Sequence, residues 1–381
     1  MHLLRHTAAV TAVVVVAACT DHADPVDFDT QALTTASLPA SPTNAHADDP
    51  AAAALGRELF FDKGFSSDGT VACVSCHDPA NGFSDPKPFS VGVRGQLGTR
   101  HAMPVTAAAF HPFLLWDGKA DAPWLQPLKA VENPREMDFP RAEVVKRLES
   151  TYRAKYEVIF GPLPTSSSST EIARAFTNFG KAIEAYERKL LCTDTRFDRW
   201  LRGEEQLTDS ERAGGAVFQD RHCNRCHSGP SFSDGKFHDI GIPSTDQGRV
   251  LGAPALLADP FNGAGAFSDD PAAGAAKLET VKAETAQVGA FRTASLRGVG
   301  QRTFFGHASH KRTIREFVQD IYRGRGGGGR NGRGGDNATV GTRDPLLDDV
   351  NVDDDEMDDL IAFLHTLDCP APPADLLAPA Q

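Results

Sequence analysis

Cys73-Val74-Ser75-Cys76-His77 and Cys223-Asn224-Arg225-Cys226-His227 each place two thiols and an imidazole within five residues. A Cys-x-x-Cys-His run is the attachment signature of c-type haem. The two sulfurs add to the vinyl groups, and the adjacent histidine reaches the iron as proximal ligand. One helical turn brings both sulfurs to one edge of the macrocycle and swings the imidazole beneath it. A single run could be a redox dithiol or half a zinc site. Two runs make those readings poor, because a dithiol needs no histidine and zinc bound by adjacent Cys and His is cramped. The spacing predicts two covalent haems, one iron held by His77 and the other by His227.

The flanks of the two sites repeat, as in an internal duplication. Gly56-Arg57-Glu58-Leu59-Phe60 precedes the first and Gly214-Gly215-Ala216-Val217-Phe218 the second; Phe83-Ser84-Asp85 and Phe232-Ser233-Asp234 follow them. Each half also offers a helix able to close a haem pocket. Ile172, Phe176, Phe179, Ile183, Tyr186 and Leu190 recur at helical spacing between Glu171 and Leu191, as do Met357, Leu360, Ile361, Leu364 and Leu367 between Asp353 and Leu367. The acids Asp353 to Glu356 suit the positive end of the second helix dipole. No alternating run is long enough to demand a sheet. The expected fold is mostly α, with two cytochrome c-like haem domains in tandem over 51–195 and 196–370 and a tail over 371–381. Cys192 and Cys369 each follow one closing helix. They are either a disulfide stapling the chain's end to the domain junction or two separate buried thiols.

With 381 residues, each half can bury a core. A formal charge of −12, from 39 Lys+Arg and 51 Asp+Glu, argues against nucleic acid as partner. Arg5 precedes an apolar run from Ala8 to Ala18, broken by Thr11 alone. That run is too short to span a bilayer and fits a secretory signal over 1–18. It ends Val16-Ala17-Ala18-Cys19, similar to a bacterial lipobox, so Cys19 is the expected lipidation site. Residues 19–50, rich in Ala, Asp, Pro and Thr, read as a flexible tether. The expected location is periplasmic, anchored to a membrane by lipid. The Gly- and Arg-rich run from Arg323 to Gly335 reads as a flexible surface loop that could touch an acidic partner.

From about Leu55 to Leu367 the chain resembles the bacterial dihaem cytochrome c peroxidases and their MauG-type relatives. The resemblance rests on the two haem sites, Trp116-Asp117-Gly118-Lys119 and Asn133-Pro134-Arg135-Glu136-Met137. Phe291 to Gly298 (Phe-Arg-Thr-Ala-Ser-Leu-Arg-Gly) and Phe305-Gly306-His307 add to it. It implies that hydrogen peroxide is cleaved at the His77 haem while the His227 haem relays electrons, with Trp116 between them. It also implies that Glu136 moves a proton between the peroxide oxygens and that Gln126 hydrogen-bonds bound peroxide. Two departures bear on the reaction. Where many dihaem peroxidases carry a distal histidine, the loop Ser90 to Gly95 places Val93, which cannot bind iron; His101 and His111 are the substitutes within reach. The second iron's sixth ligand in peroxidases is a Met, but Met357 falls in an apolar stripe, whereas MauG-type enzymes use a Tyr, here matched by Tyr322 with His307 and His310 as rivals. Some relatives hold a calcium ion between the haems through an Asn whose place His101 takes. The resemblance implies a peroxidase fed by a small cytochrome c or cupredoxin. The alternatives are an oxidase that modifies side chains of a partner protein and a non-catalytic electron carrier.

Overall fold

The computed structural model describes residues 37–379 apart from 165–167, 243, 283, 324–339 and 349, without the side chains of 286, 322 and 323. The signal, Cys19 and most of the Gly/Arg-rich run lie outside the described residues. The chain is mostly helical; among the described residues the strands are two dipeptides, β1 (Phe237–His238) and β2 (Phe291–Arg292), paired antiparallel.

Two helix crossings organise the molecule. Helix α1 (Pro50–Phe61) starts where the Asp49 side chain accepts from the Ala51 amide and Pro50 presets the first turn. After α2 (Leu125–Glu132), α3 (Arg141–Arg147) and α4 (Arg153–Phe160), the long α5 (Ser169–Glu187) packs across α1. The second crossing follows α6 (Arg196–Leu201) and joins α7 (Asp209–Asp220) to α11 (Asp354–His365). Capping boxes, Thr208 with Glu211 and Asp353 with Glu356, open α7 and α11 by satisfying amides that have no partner within the helix. The crossings are built alike. A Cβ on Gly56 would lie 1.8 Å from the Ala182 carbonyl oxygen, and one on Gly214 would lie 1.9 Å from that of Asp359. Four residues beyond each glycine, Phe60 and Phe218 enter the core.

The first core gathers Leu59, Phe60, Phe83, Phe176, Phe179 and Tyr186; the second gathers Phe197, Phe218, Phe232, Met357, Phe363 and Leu367. Burying a phenylalanine contributes about 1.5–3 kcal/mol. Cys192 and Cys369 form a disulfide 177 residues apart in sequence.

Three expected boundaries do not describe the packing. The tether expected through residue 50 is docked by Ser41, whose hydroxyl donates to Glu184 at 2.6 Å, and Asn44 bonds the Lys181 carbonyl and Glu184. The division at 195 is crossed by α8 (Arg249–Leu257) and α9 (Pro271–Leu278), which give Ala253, Leu256 and Leu278 to the first core. The 371–381 tail returns to the first half, where Leu376 packs and accepts from the Tyr186 hydroxyl at 2.6 Å. Periodicity shows which residues want burial, not which core receives them. Helix α10 (Ile314–Arg323) completes the set, and no described helix is long and apolar enough to cross a membrane.

Candidate haem sites

Both Cys-x-x-Cys-His runs fold as a tight turn, Cys73–Ser75 and Cys223–Arg225, and the next histidine amide donates to the first cysteine's carbonyl at 3.0 and 2.9 Å. The repeated Phe-Ser-Asp turns fix the histidines. Phe83 and Phe232 hold positive φ (59° and 50°), which aims their carbonyl oxygens at His77 Nδ1 (3.2 Å) and His227 Nδ1 (3.1 Å). Each contact engages Nδ1, so Nε2 is the nitrogen left for a metal. Burial lowers the pKa of both imidazoles and keeps them neutral, as iron ligation requires. It also pushes the Cys76 thiol up to about 11 and Cys73 higher still.

Each turn opens on its own cavity. The first, about 440 Å³, is lined by Cys73, Cys76 and His77 and by apolar groups such as Val71, Leu114 and Pro127; pockets of ~300–1,000 Å³ are usual for cofactors. The second holds Cys223, Cys226 and His227 against Leu296, Val299, Phe317 and Leu360. Paired thiols, an imidazole held through Nδ1 and an apolar chamber beyond them fit a covalent porphyrin at each place.

The structure brings Glu136 and Gln126 together in the first cavity. Glu136 is half-buried, accepts from Asn133 Nδ2 at 2.7 Å, and its carboxyl pKa is raised by desolvation, with Lys119 and the Asn133 bond opposing the rise. Trp116 lines both cavities, as do His101, Met103 and Arg292, so these residues form the common wall. The indole Nε1 donates to the His101 carbonyl at 2.8 Å, and its ring lies 6.2 Å from that of His307.

The Ser90–Gly95 loop rests on the Glu136 turn. A Cβ on Gly92 would meet the Arg135 carbonyl oxygen at 1.9 Å, and the Val93 amide donates to the Glu136 carbonyl at 2.9 Å. Val93 is wholly buried in the first core. His101 is engaged on both nitrogens, by Ser84 Oγ at 3.2 Å and the Pro88 carbonyl at 3.3 Å. His111 faces the first cavity with its buried Nδ1 unpartnered. In the second half, Met357 is buried in the core and His307 faces the cavity. Tyr322 falls near the end of α10, and its side chain lies outside the described residues. For calcium, the one group of three His, Cys, Asp or Glu side chains close enough to share an ion among the described residues is Cys226, Asp234 and His238, and Cys226 is a haem-attachment thiol. The sequence reading quoted Arg292 within the Phe291–Gly298 motif without giving it a role, and missed Met103 and the buried Glu187 of the first cavity; single residues outside a motif carry no spacing signal.

Two attachment turns, each opening on an apolar cavity in a mostly helical chain, define a dihaem c-type architecture. Residues 50–206 match the family described as di-haem cytochrome c peroxidase, and the similar proteins include ones named MauG and ones named cytochrome c peroxidase. It is 35% identical over 211 residues to the methylamine utilization protein MauG of Methylophilus methylotrophus, covering 54% of this chain and 60% of that one. It is 28% identical over 347 residues to the cytochrome-c peroxidase IdrP1 of Pseudomonas sp. strain SCT, covering 88% and 86%. The chain spans 57–62% of the length of the MauG proteins it matches. A solved MauG-like protein associated with microbial copper homeostasis shares the fold, with TM-score 0.68 and 24% identity over 90% of this chain and 97% of the other.

Proposed function

We propose that this chain is an exported dihaem c-type peroxidase, lipid-anchored through Cys19 in the periplasm, that reduces hydrogen peroxide with electrons from a small cytochrome c or cupredoxin. Two cytochrome c-like units hold the haems, the peroxidatic one at His77 and the relay at His227. The observation that carries the reading is the first cavity: an attachment turn, a half-buried carboxyl and an amide face one chamber, beside a loop whose residue at the family's distal position is valine.

A haem bound at Cys73 and Cys76 supplies the iron redox chemistry that splits the peroxide bond. The chain's own groups do the rest. Glu136 takes the proton from one peroxide oxygen and returns it to the other, so that the leaving oxygen departs as water. The Asn133 bond holds the carboxylate in place, while desolvation raises its pKa against the opposing effects of Lys119 and Asn133. Gln126 offers an amide donor to the bound oxygens, and the apolar wall excludes bulk water. Trp116, facing both chambers, provides the aromatic step between them.

A second reading, a MauG-like oxidase acting on side chains of a partner protein, draws on the second cavity. Its half supplies no methionine to the lining among the described residues, since Met357 is in the core. Tyr322 is the sixth ligand that reading requires. Changing Tyr322→Phe should then alter the ligand-field bands of one haem, and an unaltered spectrum removes Tyr322 from the iron. The test of the main reading is rapid mixing of peroxide with the fully oxidised protein. Reaction without added reductant supports it, whereas a need for prior half-reduction overturns the Val93 argument.

A further inference from the structure

We propose that Arg292, backed by Arg302, is an anion site shared by the two porphyrins, receiving their carboxylate side groups and joining their charges into one electrostatic unit. This rests on the haem reading above and extends it. Arg292 is 5% exposed and belongs to the wall of both cavities. Its side chain meets only neutral acceptors: the carbonyls of Leu115 (3.5 Å) and Thr293 (3.3 Å) and the sulfur of Met103 (3.2 Å). Arg302 faces the second cavity, donates from Nη2 to the Ser295 and Arg297 carbonyls, and leaves its buried Nε without a partner. Burial weakens the hold of both guanidiniums on their protons; the charge of Arg302 adds to the effect on Arg292, while Asp368 opposes it at Arg302.

Arginine stays charged in proteins, so the chain cannot relieve this pair by deprotonation. Arg292, a buried cation with no acid beside it and a second positive charge at Arg302, needs an anion from elsewhere. Other arginines nearby are already answered. Arg100, in the same wall, pairs with Asp117 at 2.6 Å and Asp246 at 2.7 Å. Arg249 is buried without an ion pair but lies over the rings of Phe237 (4.1 Å) and Phe113 (5.0 Å). A porphyrin attached through its vinyl groups keeps two free carboxylates, the chemistry that suits a guanidinium fork. Arg292 can be approached from both chambers, and its amide donates to the Trp116 carbonyl at 2.8 Å, which fixes it beside the aromatic step.

A positive charge beside an iron favours the reduced state, so removing a shared one should make both irons harder to reduce. The experiment is a spectroelectrochemical titration of the dihaem protein carrying Arg292→Gln. Expected is a roughly tenfold less favourable reduction at each haem, which is about 59 mV for one electron, with Arg292→Lys recovering most of it. A shift at one haem alone overturns the sharing, and no shift overturns the site. Arg302→Gln, facing the second cavity, should move the His227 haem alone and carries the test if Arg292→Gln fails to mature; no movement there overturns the proposal. A wild-type potential that tracks chloride concentration assigns the site to a free anion and also overturns it. Wild-type protein carrying both haems separates failure here from failure of the haem assignment.

Discussion

At the scale of single residues, the chemistry concentrates in carboxyls taken out of water. Glu136→Gln keeps shape and hydrogen bonding but cannot accept a proton. We expect peroxide consumption to slow by about 10²–10⁴-fold with haem content unchanged, and stopped-flow kinetics will show it; an unaltered rate removes Glu136 from the mechanism. Because burial raises its pKa, the wild-type rate should fall as the pH drops through that raised value and the base becomes protonated. Glu187 gives a second pH effect, on stability. Burial and the neighbouring Glu184 push it from 4.5 up to about 8, so the folded chain keeps a proton that the unfolded chain releases. Stability should therefore decline as pH rises from about 4.5 to about 8. Glu187→Gln should flatten that slope in thermal melts; an equal slope in both proteins would contradict the assignment. Glu136 was legible in the sequence because it sits in a specific motif, whereas Glu187 is one acid on a helix and its burial is set by tertiary packing.

Elements show the duplication in physical form. The glycines before each attachment site admit the closing helix, and the phenylalanines after each site turn a carbonyl toward the proximal histidine. Gly214→Leu must part α7 from α11, and overpacking of this kind costs about 1–3 kcal/mol or more. We expect a lower unfolding midpoint and reduced haem occupancy at Cys223 and Cys226, with Gly56→Leu doing the same at Cys73 and Cys76. A variant that keeps full occupancy and stability would refute the crossing argument. The Cys192–Cys369 bridge closes 177 residues; Cys369→Ser should cost about 2–4 kcal/mol in denaturant unfolding, and an unchanged midpoint would show that the staple is dispensable. The helices were readable from their apolar period, and the repeated flanks marked the crossings. The composition of 19–50 could not reveal that Ser41 and Asn44 would find buried Glu184, because those partners lie more than 130 residues away.

On the scale of the molecule, two cores share one wall, and the chain threads between them more than a simple tandem would. Helices α8 and α9 and the C-terminal tail return to the first core, so the half that holds the second attachment turn also buttresses the first. Non-local packing of this sort leaves no periodic trace, which is why the sequence pointed to two sites but not to the exchange of segments between them. Peroxide chemistry, electron transfer through Trp116 and the shared arginine all presuppose a porphyrin in each chamber. Denaturing mass spectrometry of protein purified from a host able to attach haem tests this most directly. Two porphyrin additions are expected, one on the peptide holding Cys73 and Cys76 and one on that holding Cys223 and Cys226. A chain carrying no addition, or just one, would contradict the account.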